Sequence, residues 1–159
     1  MKKFYLFLVL FFSLFSCQED VKFNNPAFQG MKDNVLWKAV QTRATVYSSG
    51  KVVVEAYTAT EVMTIENSST AVGVYTIGTN ANTTANYQYT DPITKEKIIF
   101  SSGFNVGNGA LEITEYDAVG KTISGTFKCN LVNTFDNPMA GPTLNFQYGV
   151  FYKVPVTVN

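Results

Sequence analysis

Between Ile123 and Leu131 every odd position is apolar or small (Ile123, Gly125, Phe127, Cys129, Leu131) and every even one is polar (Ser124, Thr126, Lys128, Asn130). A period of two belongs to a strand with one buried and one wet face. Beyond residue 16, no window sustains apolar residues at helical spacing. Val, Thr, Tyr, Phe and Ile recur instead in short runs separated by Gly, Asn, Asp, Pro and Ser clusters. The chain is therefore expected to be all-β.

Further strands are expected at Val35–Ala39, Thr42–Ser48, Val52–Thr58, Glu61–Glu66, Val72–Ile77, Asn86–Thr90, Lys97–Ser101 and Ala110–Tyr116. The last region repeats the alternation over a longer span: Leu144, Phe146, Tyr148, Val150, Tyr152, Val154, Val156 and Val158 share one parity, with Gly149 marking a turn or bulge. Pro155 lacks an N–H for a ladder and so belongs at an edge or facing away from its neighbour. Ser49-Gly50, Asp91-Pro92 and Asp117-Ala118-Val119-Gly120 read as hairpin turns. Together these give a single antiparallel sandwich or barrel of roughly ten strands, and pattern alone does not separate the two. Two longer loops, Gly78 to Ala85 and Thr134 to Thr143, are places where a rigid sheet can carry recognition residues.

The N-terminus is of another kind. Lys2 and Lys3 precede an unbroken apolar run from Phe4 to Leu10 and on through Phe12, and Leu14-Phe15-Ser16-Cys17 follows. A dozen or so apolar residues are too few to span a bilayer as a helix, which takes about 20, and the charged start suits an export signal. With Leu14 at −3 and Ser16 at −1, the motif resembles a lipobox, cut just before the cysteine. Cys17 is thus the expected lipidation site, and its two or three acyl chains would hold the protein to a membrane. The expected organisation is a signal peptide over 1–16, a lipidated tether over 17–30 and an all-β domain over 31–159. The expected location is the outer membrane, lipid-anchored; the acidic pair Glu19-Asp20 after the cysteine resembles an export tag for the outer cell surface, which favours that face over the periplasmic one without deciding between them.

Composition excludes several functions. The chain holds no histidine, which removes the usual general base, nucleophile activator and transition-metal ligand. Without residues 1–16, ten basic residues face twelve acidic ones, and the sole arginine is Arg43. No basic cluster exists to bind a nucleic-acid backbone. Cys129 is the only thiol besides Cys17, so no internal disulfide is expected, and its place in the alternating strand makes it a core residue. The roughly 130 residues after the tether suit one domain that buries about two-thirds of its unfolded surface.

Acid–base chemistry would have to come from Glu55, Glu61, Glu66, Asp91, Glu112, Glu115, Asp117 or Asp136. A glycosidase needs two carboxylates facing each other across a cleft. Glu112 reads instead as a solvated strand residue and Asp117 as a turn residue. Asp136-Asn137 supplies too few oxygens for calcium. Catalysis, a metal and a cofactor are therefore not expected. Trp37 and the tyrosines are expected to fill the core. The sharper reading concerns Tyr87 and Tyr89, two residues apart and so on one strand face, where their rings could stack on a sugar or flat apolar ligand if that face is wet.

Several segments together carry a family likeness: Asn24-Asn25-Pro26-Ala27-Phe28-Gln29-Gly30, Leu36-Trp37-Lys38-Ala39, Ile113-Thr114-Glu115-Tyr116-Asp117, Lys121-Thr122-Ile123-Ser124-Gly125-Thr126-Phe127 and Gly149-Val150-Phe151-Tyr152-Lys153-Val154-Pro155-Val156. In these the chain resembles a domain-of-unknown-function family of Bacteroidota lipoproteins. The resemblance implies a lipoprotein with an all-β body and no activity, ligand or site residue. The expectation is a non-enzymatic, lipid-anchored binding or accessory domain, with a glycan, a small ligand or an envelope protein as partner. The alternative is a structural or protein-interaction subunit of an envelope complex that adds a strand or docks a loop.

Overall fold

A computed structural model describes residues 27–135 and 137–159. Cys17, the signal segment, most of the tether and Asp136 lie outside the described residues. All described elements are strands: β1 (Phe28–Lys32), β2 (Val35–Lys38), β3 (Gln41–Val46), β4 (Val52–Tyr57), β5 (Glu61–Asn67), β6 (Gly73–Ile77), β7 (Thr83–Thr90), β8 (Lys97–Ser101), β9 (Asn108–Asp117), β10 (Thr122–Asn133) and β11 (Thr143–Val158). They form one sheet in the order β2-β1-β11-β3-β4-β5-β7-β8-β10-β9-β6. An added β10–β11 pairing closes β11, β3, β4, β5, β7, β8 and β10 into a ring, leaving β1–β2 and β9–β6 as flanks. Sheet closure removes most of the exposed strand edges that an open sheet would present.

Ten of the strands lie where the alternation places them. The eleventh, β1, begins three residues inside the segment read as tether, and its hairpin to β2 turns at Asp33-Asn34, both at positive φ (45° and 66°). Two consecutive left-handed residues are what a tight two-residue hairpin turn requires, and Asp and Asn tolerate that geometry best. The expected turns form as read: Asp91 Oδ1 accepts the N–H groups of Ile93 and Thr94 at 2.8 Å each, and Asp117 Oδ1 those of Val119 and Gly120.

The expectation of a wholly antiparallel sheet needs one amendment. The end of β11 runs parallel to β3, with Val156, Thr157 and Val158 beside Ala44, Thr45 and Val46. On that edge β11 leaves β1 after Phe151 and meets β3 at Val156. Pro155 falls in the interval, where its missing N–H leaves no ladder bond unmade.

The continuous parity expected of β11 is also corrected. Register slips against β10 between Phe127 and Cys129 and between Ile123 and Gly125, and Tyr148 (φ 52°) and Lys153 (φ 48°) take left-handed conformations there. Each slip inserts a residue and exchanges the strand's faces. The buried series is therefore Leu144, Phe146, then Gly149, Phe151, then Val154, Val156. Tyr148, Val150 and Tyr152, which unbroken alternation would bury, stand in solvent.

The core is aromatic at its centre. Phe28, Phe127, Phe146 and Phe151 pack with Trp37 and Tyr87, and Phe28 and Phe127 lie 4.9 Å apart between ring centroids. Each fully buried phenylalanine contributes about 1.5–3 kcal/mol of apolar transfer free energy. Cys129 is buried among them, and burial pushes its thiol up to about 12.

Candidate functional site

Tyr87 and Tyr89 do share one side of β7, as their spacing requires, and that side faces the interior. Tyr87 is only 3% exposed, with its ring against Phe100 and Phe146. Tyr89 is half-buried and packed on the core. The Tyr87 hydroxyl donates to Glu61 and accepts from Lys32 Nζ at 2.8 Å. Glu61 also takes a hydrogen bond from Trp37 Nε1 at 2.5 Å, a longer one from Thr58 Oγ1 at 3.3 Å, and the Lys32 ammonium. Burial disfavours charge on Glu61, but these donors outweigh it and hold the carboxyl below its ordinary range. Burial and the neighbouring Glu61 carboxylate raise the Tyr87 phenol. The cluster clasps the β1–β2 hairpin to β5 and β7, with every Glu61 oxygen occupied.

The other carboxylates are dispersed. Glu55 pairs with Arg43 at 2.6 Å and Glu66 with Lys51 at 2.6 Å, while Asp91 and Asp117 cap turns. Among the described residues no three of His, Cys, Asp and Glu converge as a metal site.

A different surface gathers exposed apolar and polar groups. On the outer side of β6, β9, β10 and β11, pairing aligns Val74, Glu112, Thr126 and Val150 in one row and Thr76, Ala110 and Lys128 in the next. Tyr148, turned outward by its bulge, stands beside the second row. All of these but Thr76, together with Gly149, line a trough of about 550 Å³. Val74 is 70% exposed and Tyr148 80%. An adjoining hollow of about 220 Å³ shares Lys128 and is lined by Asn108, Asn130, Asn145 and Gln147.

The three asparagines form a third row across β9, β10 and β11. Asn130 Nδ2 donates to Asn108 Oδ1 at 2.9 Å, and Asn145 Nδ2 donates to Asn130 Oδ1. The relay leaves the Asn108 amide N–H groups at one end and the Asn145 carbonyl at the other without a side-chain partner among the described residues. Sequence reading missed this surface because it followed one parity through β11. The available signal was a conflict within that strand: Phe146 and Phe151 are both large apolar residues of opposite parity, and a strand with one buried face accommodates both only across a bulge.

Residues 24–155, nearly all of the folded body and its first strand, match the domain of unknown function DUF6252. The chain belongs to the DUF6252 family. No curated protein and no solved structure matches it. The family match spans both the clasp at Glu61 and the trough at Tyr148, so both are parts of the DUF6252 domain as it occurs here.

Proposed function

We propose that this DUF6252 protein is a lipid-anchored, non-enzymatic binding domain of the bacterial outer membrane, tethered through Cys17 and presenting the β6–β9–β10–β11 trough to a ligand. The observation that carries the binding reading is Tyr148. A bulky residue at φ 52° is a costly backbone choice, and strain of this kind collects at functional sites. Here it places an aromatic ring in water beside a concave surface that also exposes Val74 and Val150, where a folded chain gains nothing from them. The occupied or dispersed carboxylates support a non-catalytic role. The Leu14–Cys17 motif supports the anchor.

The anchor is tested by detergent phase partitioning of the full chain made in a bacterium that processes lipoproteins. The wild type is expected in the detergent phase and Cys17→Ala in the aqueous phase. A wild type found wholly in the aqueous phase would refute the anchor.

The binding reading is tested by tyrosine-selective chemical labelling in intact cells and on the purified chain, with Tyr47 as the internal reference. Tyr148 is expected to be protected several-fold in cells, and equal labelling in both settings would overturn the binding reading.

A further inference from the structure

We infer that the ligand of the trough is a neutral glycan chain, an assignment that rests on the binding-domain reading and names its ligand class. Three features of the surface point to it. The first is the juxtaposition of an apolar stretch (Val74, Ala110, Val150 and the Tyr148 ring) with a row of side-chain amides, which lies two residues along β9 from Ala110, about 7 Å, and four from the row of Val74 and Val150, about 13 Å. A pyranose has this same division, with apolar C–H faces and hydroxyl-bearing edges. Its C–H hydrogens carry partial positive charge and meet the negative face of an aromatic ring.

The second feature is the polarity of the asparagine relay. One end offers an N–H donor from Asn108 and the other a carbonyl acceptor from Asn145. A hydroxyl group both donates and accepts and so satisfies either end, whereas a carboxylate or phosphate only accepts and an ammonium only donates.

The third is charge. The trough carries one acid, Glu112, and one base, Lys128, on adjacent strands, so its field selects neither anions nor cations. A polyanionic glycan would meet Glu112 with no excess of positive charge to compensate. Lys128 lines both hollows, and a chain of several sugars laid along β10 would pass Tyr148 in the first before reaching the amides of the second.

The test uses the full mature chain in a detergent without a sugar headgroup, titrated calorimetrically with cellohexaose, xylohexaose, mannohexaose, laminarihexaose, maltohexaose and chitohexaose, and with polygalacturonate as the charged comparison. At least one neutral hexaose is expected to bind with a dissociation constant below about 1 mM, and polygalacturonate to bind at least tenfold more weakly. Tyr148→Phe keeps the ring and is expected to bind within about threefold of wild type. Tyr148→Asn removes the ring while suiting the left-handed backbone, and is expected to weaken binding at least tenfold with unfolding unchanged. Asn130→Ala, which breaks the relay, is expected to weaken it severalfold.

Failure of every neutral hexaose to bind, or equal binding by Tyr148→Asn, overturns the glycan assignment. If the hexaoses fail while Tyr148 is still protected in cells, the ligand class is wrong and the binding domain stands. If protection is also absent, both readings fall.

Discussion

The ring of Phe127 on β10 lies over Gly149 on β11 and occupies the space in which a Cβ at position 149 would sit. The two are directly paired across the strands, immediately after the bulge at Tyr148. The bulge is thereby locked from within, because slipping the register by one would drive a side chain of β11 into the ring. Gly149→Ala is expected to destabilise the domain by about 1–3 kcal/mol through overpacking. Chemical denaturation against wild type measures it, and a change of less than a few tenths of a kcal/mol would show that Phe127 has room to move.

Glu61 ties Lys32 and Trp37 of the β1–β2 hairpin to Tyr87 of β7. Glu61→Gln keeps the shape, removes the charge and leaves the Lys32 ammonium without its partner. A loss of about 2 kcal/mol is expected. The pH dependence follows from the direction of the shift. Glu61 titrates lower in the folded chain than its ordinary value of 4.5, so its contribution is complete above that value and is lost as pH falls through the lower folded one. Thermal unfolding from neutral to acid pH should therefore show the gap between wild type and Glu61→Gln closing in acid. A constant gap would mean the charge plays no part.

Cys129 lies on the inner face of β10, and burial raises its thiol to about 12. Only the thiolate reacts at a useful rate. Iodoacetamide is expected to leave Cys129 unmodified in the native chain at neutral pH and to modify it fully once the chain is unfolded, as counted by intact mass. Rapid native modification would contradict the packing of β10 against the core.

How much of this was legible beforehand varied with the local physics. The period of two from Ile123 to Leu131 survives because the residues inserted at its register slips lie on the partner strands, one on β9 at Thr114 and two on β11, and none on β10. The turns at Asp91 and Asp117 were readable because their side chains bond their own backbone two and three residues on, a purely local interaction. β1 was missed because Phe28–Lys32 is too short, and broken by Gly30, to show a period, and its strand character comes from pairing with distant β11. The parallel β3–β11 join, likewise, is a tertiary relation that no local pattern encodes. Tyr87 and Tyr89 were correctly placed on one side, but which side depends on Glu61 and Phe146, far away in sequence. The trough was hidden because the two bulges of β11 reverse its faces twice within a run whose even positions are all apolar.

Those bulges make the trough, so the orientation of β11 is the most direct point of attack. Single cysteines at Tyr148 and Val150, in a chain whose own Cys129 is buried, report it through the rate of thiol labelling in the native state. Both Tyr148→Cys and Val150→Cys are expected to label at rates close to those of the unfolded chain, since both side chains project into the trough. Unbroken alternation through β11 would place both inside with Leu144 and Phe146, and protection of both thiols to the level of Cys129 would contradict the account.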